Sequence, residues 1–266
     1  MRWSSRHVTR LAVWLTAATA LAVGSVPAAA VAAIAPADLV SYDPAPAGAT
    51  TQAVTGTSDG AGGCAFTLSA SLAPGQTIAR LDEVNYSAST CQSTVATTSG
   101  STAAAVPADP SEVADSGGLV TSALSGTAPP SAALTTRHSA GYMKSWFQDP
   151  VHITVNSVQN GTDWHWNGSC TVPPVSGSYH YTWFAGWVKK DNNWQNTYSC
   201  TQSTSSSYVH FHDGAFCAFT DTEVYYNRNT VHGKYNGYLT GTVHWSKTGH
   251  CAGLLSFHYS LKRTLN

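Results

Sequence analysis

The chain has 266 residues, of which 10% are charged, with a formal net charge of −1 and an isoelectric point near 6.8, whereas an average soluble protein carries ~25% charged residues. That balance excludes a basic nucleic-acid binder and a charge-driven disordered chain, and it leaves too few Glu and Lys to decorate a long coiled coil. The length suits one or two ordinary domains with a sizeable core.

Arg2, Arg6 and Arg10 precede an apolar run over residues 11–26, and the small-residue stretch Ala28-Ala29-Ala30-Val31-Ala32-Ala33 follows. This order reads as a secretory signal peptide over residues 1–33, because the apolar run is shorter than the ~20 residues a membrane-spanning helix needs. An extracellular protein with no transmembrane segment after signal cleavage is expected. Cys64 is the first cysteine, far from the cut, which argues against a lipid anchor, and no paired arginine supports a twin-Arg signal. Losing the three arginines takes the net charge to −4, too weak to steer polyanions, so no nucleic acid partner is expected.

Six cysteines remain: Cys64, Cys91, Cys170, Cys200, Cys217 and Cys251. An even number in an oxidising compartment implies three disulfides, and the sequential pairing Cys64 with Cys91, Cys170 with Cys200 and Cys217 with Cys251 is the expected one among many. A thiolate metal site needs closer pairs than the shortest gap here, 17 residues from Cys200 to Cys217.

Residues 34–62 contain almost no large side chains and read as a disordered linker. At 63–96 a patterned island follows. Phe66, Leu68, Ala70 and Leu72 alternate with polar residues, Pro74-Gly75 marks a turn, and residues 78–86 resume an extended pattern before Cys91. The pattern predicts a disulfide-closed β-hairpin, which is marginal alone and is expected to dock on the C-terminal domain. Residues 97–137, with Thr102-Ala103-Ala104-Ala105 and Ala128-Pro129-Pro130-Ser131, read as a second, Ser/Thr/Ala/Gly-rich linker. Twenty-three aromatic residues lie between Tyr142 and Tyr259, and ten of the eleven histidines lie at or beyond His138. The main domain is therefore placed at 138–266.

From residue 151 the hydrophobic period is two. Val151, Ile153 and Val155 share a face, Asn160-Gly161 gives the strongest short hairpin signal, and Asn167-Gly168 gives another. Further strands read at 179–189, 194–201, 208–212, 215–226, 238–245 and 254–261. They are punctuated by Asp191-Asn192-Asn193, Asp213-Gly214, Asn227-Arg228-Asn229 and Lys247-Thr248-Gly249. Short strands at even spacing predict an all-β fold, an antiparallel β-sandwich or barrel-like domain. Gly141 through Phe147 is read as strand, because Asp149-Pro150 forces extension.

The run from Gly141-Tyr142 through Trp146-Phe147-Gln148-Asp149-Pro150-Val151 to Val155-Asn156, with the ending Phe257-His258-Tyr259-Ser260-Leu261-Lys262-Arg263-Thr264-Leu265, resembles uncharacterised secreted β-rich proteins of Streptomyces-like, high-GC Gram-positive bacteria. The resemblance covers about half the chain. It implies secretion and a β-rich fold, and it transfers no activity and no catalytic residue.

Four sets of residues carry chemistry. His210 and His212 share one strand face about 6.5–7 Å apart, a spacing that strand-borne zinc sites use. Asp213, His244, His258, or Asp163 with His165, are available to complete a set, although two half-exposed strand histidines are the plainer reading. Asp221 and Glu223 also share a face and form the candidate catalytic pair. A glycosidase needs carboxylates flanking the scissile bond, whereas these two stand on one strand, where solvation or pairing with Lys189, Lys190 or Lys234 is the plainer reading. Gly56-Thr57-Ser58-Asp59-Gly60 fits the nucleophile-elbow pattern without the strand and helix that pattern requires. The aromatic alternation is the most informative feature: Tyr179, Tyr181, Trp183 and Trp187 on one face, with Trp164, Trp166, Trp194 and Trp245 besides. Such rings build core, or, where exposed, stack on sugars.

A non-catalytic glycan or cell-envelope binding module is therefore expected, with Tyr181, Trp183, Trp187 and Trp194 as stacking surfaces and Asn192, Asn193, Gln195 and Asn236 as hydrogen-bonding groups. The alternatives are an extracellular hydrolase, using Asp221 and Glu223 or a histidine-bound metal, and a structural or interaction protein of the cell surface. No cofactor is expected. Titration of the ten histidines would carry the charge from −4 towards +6 on going to about pH 5 if each keeps a pKa near ~6.5.

Overall fold

The computed structural model describes residues 38–60, 62–100, 117–124, 135–217 and 220–265, with 117–124 described by its backbone alone. The signal peptide expected at 1–33 and most of the linker expected at 97–137 lie outside these residues. The described chain folds into two antiparallel sheets. The first runs β2 (Thr50–Thr55), β6 (Gln92–Gly100), β5 (Ile78–Ser87), β15 (Ser256–Leu265), β8 (Arg137–Gln148), β9 (Thr154–Trp166), β10 (Thr171–Trp183) and β7 (Gly117–Leu124), with β1 (Val40–Ser41) also paired to β5. In the second the order is β11 (Val188–Tyr198), β12 (Gln202–Cys217), β13 (Thr220–Lys234), β14 (Leu239–Gly249), β4 (Cys64–Leu72) and β3 (Thr57–Ser58). Among the described residues the only helical element is a 3₁₀ turn at Ala252–Leu254.

Alternation along each strand decides which side chains face the other sheet. Met143, Ser145 and Phe147 of β8 point inward, as do Phe257, Tyr259 and Leu261 of β15 and Val243, Trp245 and Lys247 of β14; all are buried. Trp245 is the centre of the core, stacking on Phe66 at 4.6 Å and on Phe257 at 4.4 Å while Phe147 meets it edge-on at 5.7 Å. Such pairs add about 0.5–1.5 kcal/mol each beyond the apolar area they bury. Beside this apolar heart runs a polar seam, where neighbouring inward positions carry Asn and Ser. Tyr226 Oη donates to Asn156 Oδ1 (2.7 Å), Ser207 Oγ to Asn160 Oδ1 (2.7 Å) and Ser145 Oγ to Asn229 Oδ1 (3.1 Å). These bonds cross from one sheet to the other and give the buried amide oxygens partners in place of water.

A buried ion pair also joins the layers. Lys247 Nζ lies 2.9 Å from Glu83 Oε2, with both side chains at 0% exposure. The ammonium also donates to Tyr42 Oη and the Leu255 carbonyl and sits 3.9 Å above the Tyr86 ring, while Glu83 accepts from the Phe257 amide and Ser93 Oγ. Burial pulls the Lys247 pKa down and Glu83 opposes it.

The three disulfides are Cys64–Cys91, Cys170–Cys200 and Cys217–Cys251, the sequential set. Several local expectations are corrected. The hairpin expected at 63–96 does not form: β4 pairs with β14, while β5 pairs with β6 and β15. Its two apolar faces are long enough to serve different sheets, and the turn at Pro74-Gly75 carries the chain from one layer to the other. The linker expected at 34–62 contributes three short strands to both sheets. Asn160-Gly161 lies in mid-strand, because the Asn160 amide is satisfied by Ser205 and Ser207 across the core and a β-carbon at Gly161 would collide with Ser178 Oγ. The strand expected at 179–189 is broken by a turn in which the Trp187 amide donates to the Phe184 carbonyl. Asp191-Asn192-Asn193 and Asn227-Arg228-Asn229 are not turns but lie in β11 and β13 next to shifts of register. Asn167-Gly168 does turn, with the Asn167 side chain accepting from the Ser169 and Cys170 amides.

Candidate functional site

The pairing of β12 with β13 sets His212 opposite Glu223 and His210 opposite Tyr225. Their side chains, with Asp221, stand on the outward face of the second sheet, since Phe211, Val224 and Tyr226 between them point inward and are buried. Two residue pairs read separately in the sequence are thus brought together. His212 Nε2 lies 3.1 Å from Asp221 Oδ1, and His210 Nε2 lies 3.8 Å from Glu223 Oε2. Tyr225 donates to the same Glu223 oxygen, and its ring stacks on His210 at 4.1 Å. Burial lowers the His210 pKa against the pull of Glu223, and burial with the Glu223 bond raises that of Tyr225. Asp221 is held by His212 and Glu223 by Tyr225, both on one open sheet face, so the two carboxylates do not flank a bond from opposite sides.

The partners foreseen for a His210–His212 metal set lie elsewhere. Asp213 is buried, His244 is hydrogen-bonded to Thr67, and His258 meets Asp82 in the first sheet. Asp163 and His165 belong to β9, also in the first sheet.

The aromatic face of β10 points inward. Tyr179, Tyr181 and Trp183 form a row with ring centroids 5.3 and 5.8 Å apart, and Trp194 of β11 stacks on Tyr179 at 6.3 Å while donating to Ser205 Oγ. Tyr179 is sealed, whereas Tyr181, Trp183 and Trp194 are half-buried at the margin of the core, with Lys189 Nζ 4.9 Å over the Tyr181 ring. Trp187 is only 3% exposed and packs on Phe216, so it offers no stacking surface. Its place after the turn, rather than on a continuous strand, accounts for the difference.

On the outward face of the second sheet, beside the edge strand β11, the register shifts at Ser207/Val209 and Tyr226/Arg228 open a shallow groove of about 230 Å³. Asn193, Trp194, Gln195, Tyr208, Asn227 and Arg228 line it. Asn193, Trp194 and Gln195 are among the residues singled out from the sequence, although the Trp194 indole itself packs inward against Tyr179 and Ser205. Tyr208, Asn227 and Arg228 are not: Tyr208 reads as the start of a strand and Asn227-Arg228 as a turn, and neither pattern shows the register shifts that bring them to the groove.

Fold and site define an all-β sandwich with three disulfides, an aromatic core and a polar groove next to a paired histidine–carboxylate face. The chain matches no protein-family model, no curated protein and no solved structure. Among the described residues no helix is long and apolar enough to cross a membrane.

Proposed function

We propose that the chain is a secreted, non-catalytic binding module that takes glycan or cell-envelope polymer in the groove beside β11. The observation that carries this reading is the groove's lining. The amides of Asn193 and Gln195 each offer a donor next to an acceptor, matching adjacent sugar hydroxyls, and Asn227, whose Nδ2 donates to Ser246 Oγ, offers its carbonyl, while the Arg228 guanidinium adds directed donors and Tyr208 adds a ring face. The low net charge favours neutral polymers over polyanions. Secretion is supported by the basic, apolar and small-residue order of residues 1–33 and by three disulfides. Binding is favoured over hydrolysis because Asp221 and Glu223 share one sheet face, where His212 contacts the first and Tyr225 donates to the second.

The test is sedimentation of the purified chain with insoluble glycans and cell-wall sacculi, followed by calorimetry on soluble fragments of whichever binds. Tyr208→Ala and Arg228→Ala should each weaken binding about tenfold, equivalent to ~1.4 kcal/mol, with Glu223→Gln unchanged. Binding that is absent, or indifferent to both groove substitutions, would refute the proposal.

A further inference from the structure

The outward face of the first sheet carries a second cluster, built by pairing that no local pattern announces. His138 of β8 stands directly opposite His165 of β9. Asp163, two residues before His165, projects from the same face, since Trp164 between them is fully buried. A cross-strand pair plus the next same-face neighbour puts three side chains at the corners of a small triangle. His138 Nε2 lies 2.7 Å from Asp163 Oδ1, and the two imidazoles lie parallel with centroids 4.3 Å apart. Each of the three residues offers a donor atom within 4.8 Å of those of the other two.

We propose that His138, Asp163 and His165 form a site for a divalent first-row transition metal, zinc above all. Two imidazoles and one carboxylate are the donor set that favours zinc over magnesium or calcium, which take oxygen ligands. Tetrahedral zinc holds its donors about 3.3 Å apart, given bonds of about 2.0–2.1 Å. The His138–Asp163 contact is now closer than that and widens when the metal replaces the shared proton. The His138 and Asp163 side chains are 41% and 45% exposed, so small rotations are open to them.

The surroundings support the assignment. His165 Nδ1 donates to the Pro174 carbonyl at 3.0 Å, which leaves Nε2 as its basic nitrogen. A backbone carbonyl that fixes the tautomer of a ligating imidazole is a recurrent outer-shell device of metal sites. The carbonyl is presented there by the irregular register between Val172 and Val175 in β10. Asp163 also borders a cleft of about 230 Å³ lined by Tyr142, Gln159, Gly161, Ser176 and Ser178. Three protein ligands leave zinc a fourth position for water, and that position would adjoin this cleft. The site lies on the face of the sandwich away from the β11 groove and does not rest on the glycan reading.

The experiment titrates zinc sulfate into the purified metal-free chain by calorimetry in a non-chelating buffer, with metal content measured after dialysis. One zinc per chain is expected, with His138→Ala, Asp163→Ala and His165→Ala each weakening it at least tenfold and the His210→Ala/His212→Ala double variant binding as the parent does. Because this chain carries many histidines, the double variant separates the site from adventitious binding. A second readout needs no variant: zinc should shift the imidazole NMR signals of His138 and His165 before those of other histidines. No binding, binding untouched by the three substitutions, or loss confined to the double variant would each overturn the proposal.

Discussion

Lys247 and Glu83 show how one residue pair constrains the whole core. Glu83→Gln leaves a buried ammonium without its counter-charge, so a loss of about 3–5 kcal/mol is expected in urea unfolding at neutral pH. A loss below about 1 kcal/mol would mean the pair is solvated in solution. The histidines add a pH dependence. Burial lowers the pKa of His210, His232 and His244, helped by Lys234 and Arg228 at His232, by Arg228 at His244, and by His212 and Lys190 at His210. Below an unfolded pKa of about 6.5 the unfolded chain then binds more protons than the native one, so stability falls as pH drops from about 7 towards 5. Asp82 acts at lower pH: burial opposes ionisation, but the His258 and Arg80 contacts outweigh it and lower its pKa, so its contribution is present above the unfolded value and lost as pH falls through the folded one. Urea midpoints at about pH 7.5 and 5.5 should differ, with His232→Gln narrowing the gap; equal midpoints would contradict the burial of these rings. The three lowered histidines take up their protons later than ordinary imidazoles, so on acidification the charge rises less steeply than ten ordinary rings would make it.

At the scale of elements, period-two alternation was readable wherever a strand has one face in the core, as in Phe66-Leu68-Leu72 or Tyr179-Tyr181-Trp183. The same-face grouping of His210 with His212 and of Asp221 with Glu223 followed from that alternation. Turn residues were the unreliable signal. Asn160, Asn192 and Asn227 look like loop residues, yet an inward amide can be satisfied across a polar seam and an outward one at a bulge. Glycine likewise marks close approach here. A β-carbon at Gly233 would collide with the Trp164 indole of the facing sheet, so Gly233→Ala should cost about 1–3 kcal/mol by overpacking. Thermal unfolding at the parental temperature would show that the two layers are farther apart than described.

The whole molecule was the least legible scale, because its defining contacts span long stretches of chain. Leu68 pairs with Val243 and Leu81 with Tyr259, and no local pattern encodes such partners. Aromatic density placed the main domain at 138–266, but small Ser, Thr and Ala side chains also fill strands when a neighbouring strand supplies the large rings. Cys64–Cys91 and Cys170–Cys200 then tie segments of one sheet to segments of the other. The central claim about the fold is that the two halves of the chain build the same two sheets. Native-state hydrogen exchange resolved by residue tests it most directly. Amides of β4, β5 and β6 should be as strongly protected as those of β13, β14 and β15, and all should open in one cooperative transition. Rapid exchange over residues 64–100, with protection confined to residues beyond 138, would contradict it.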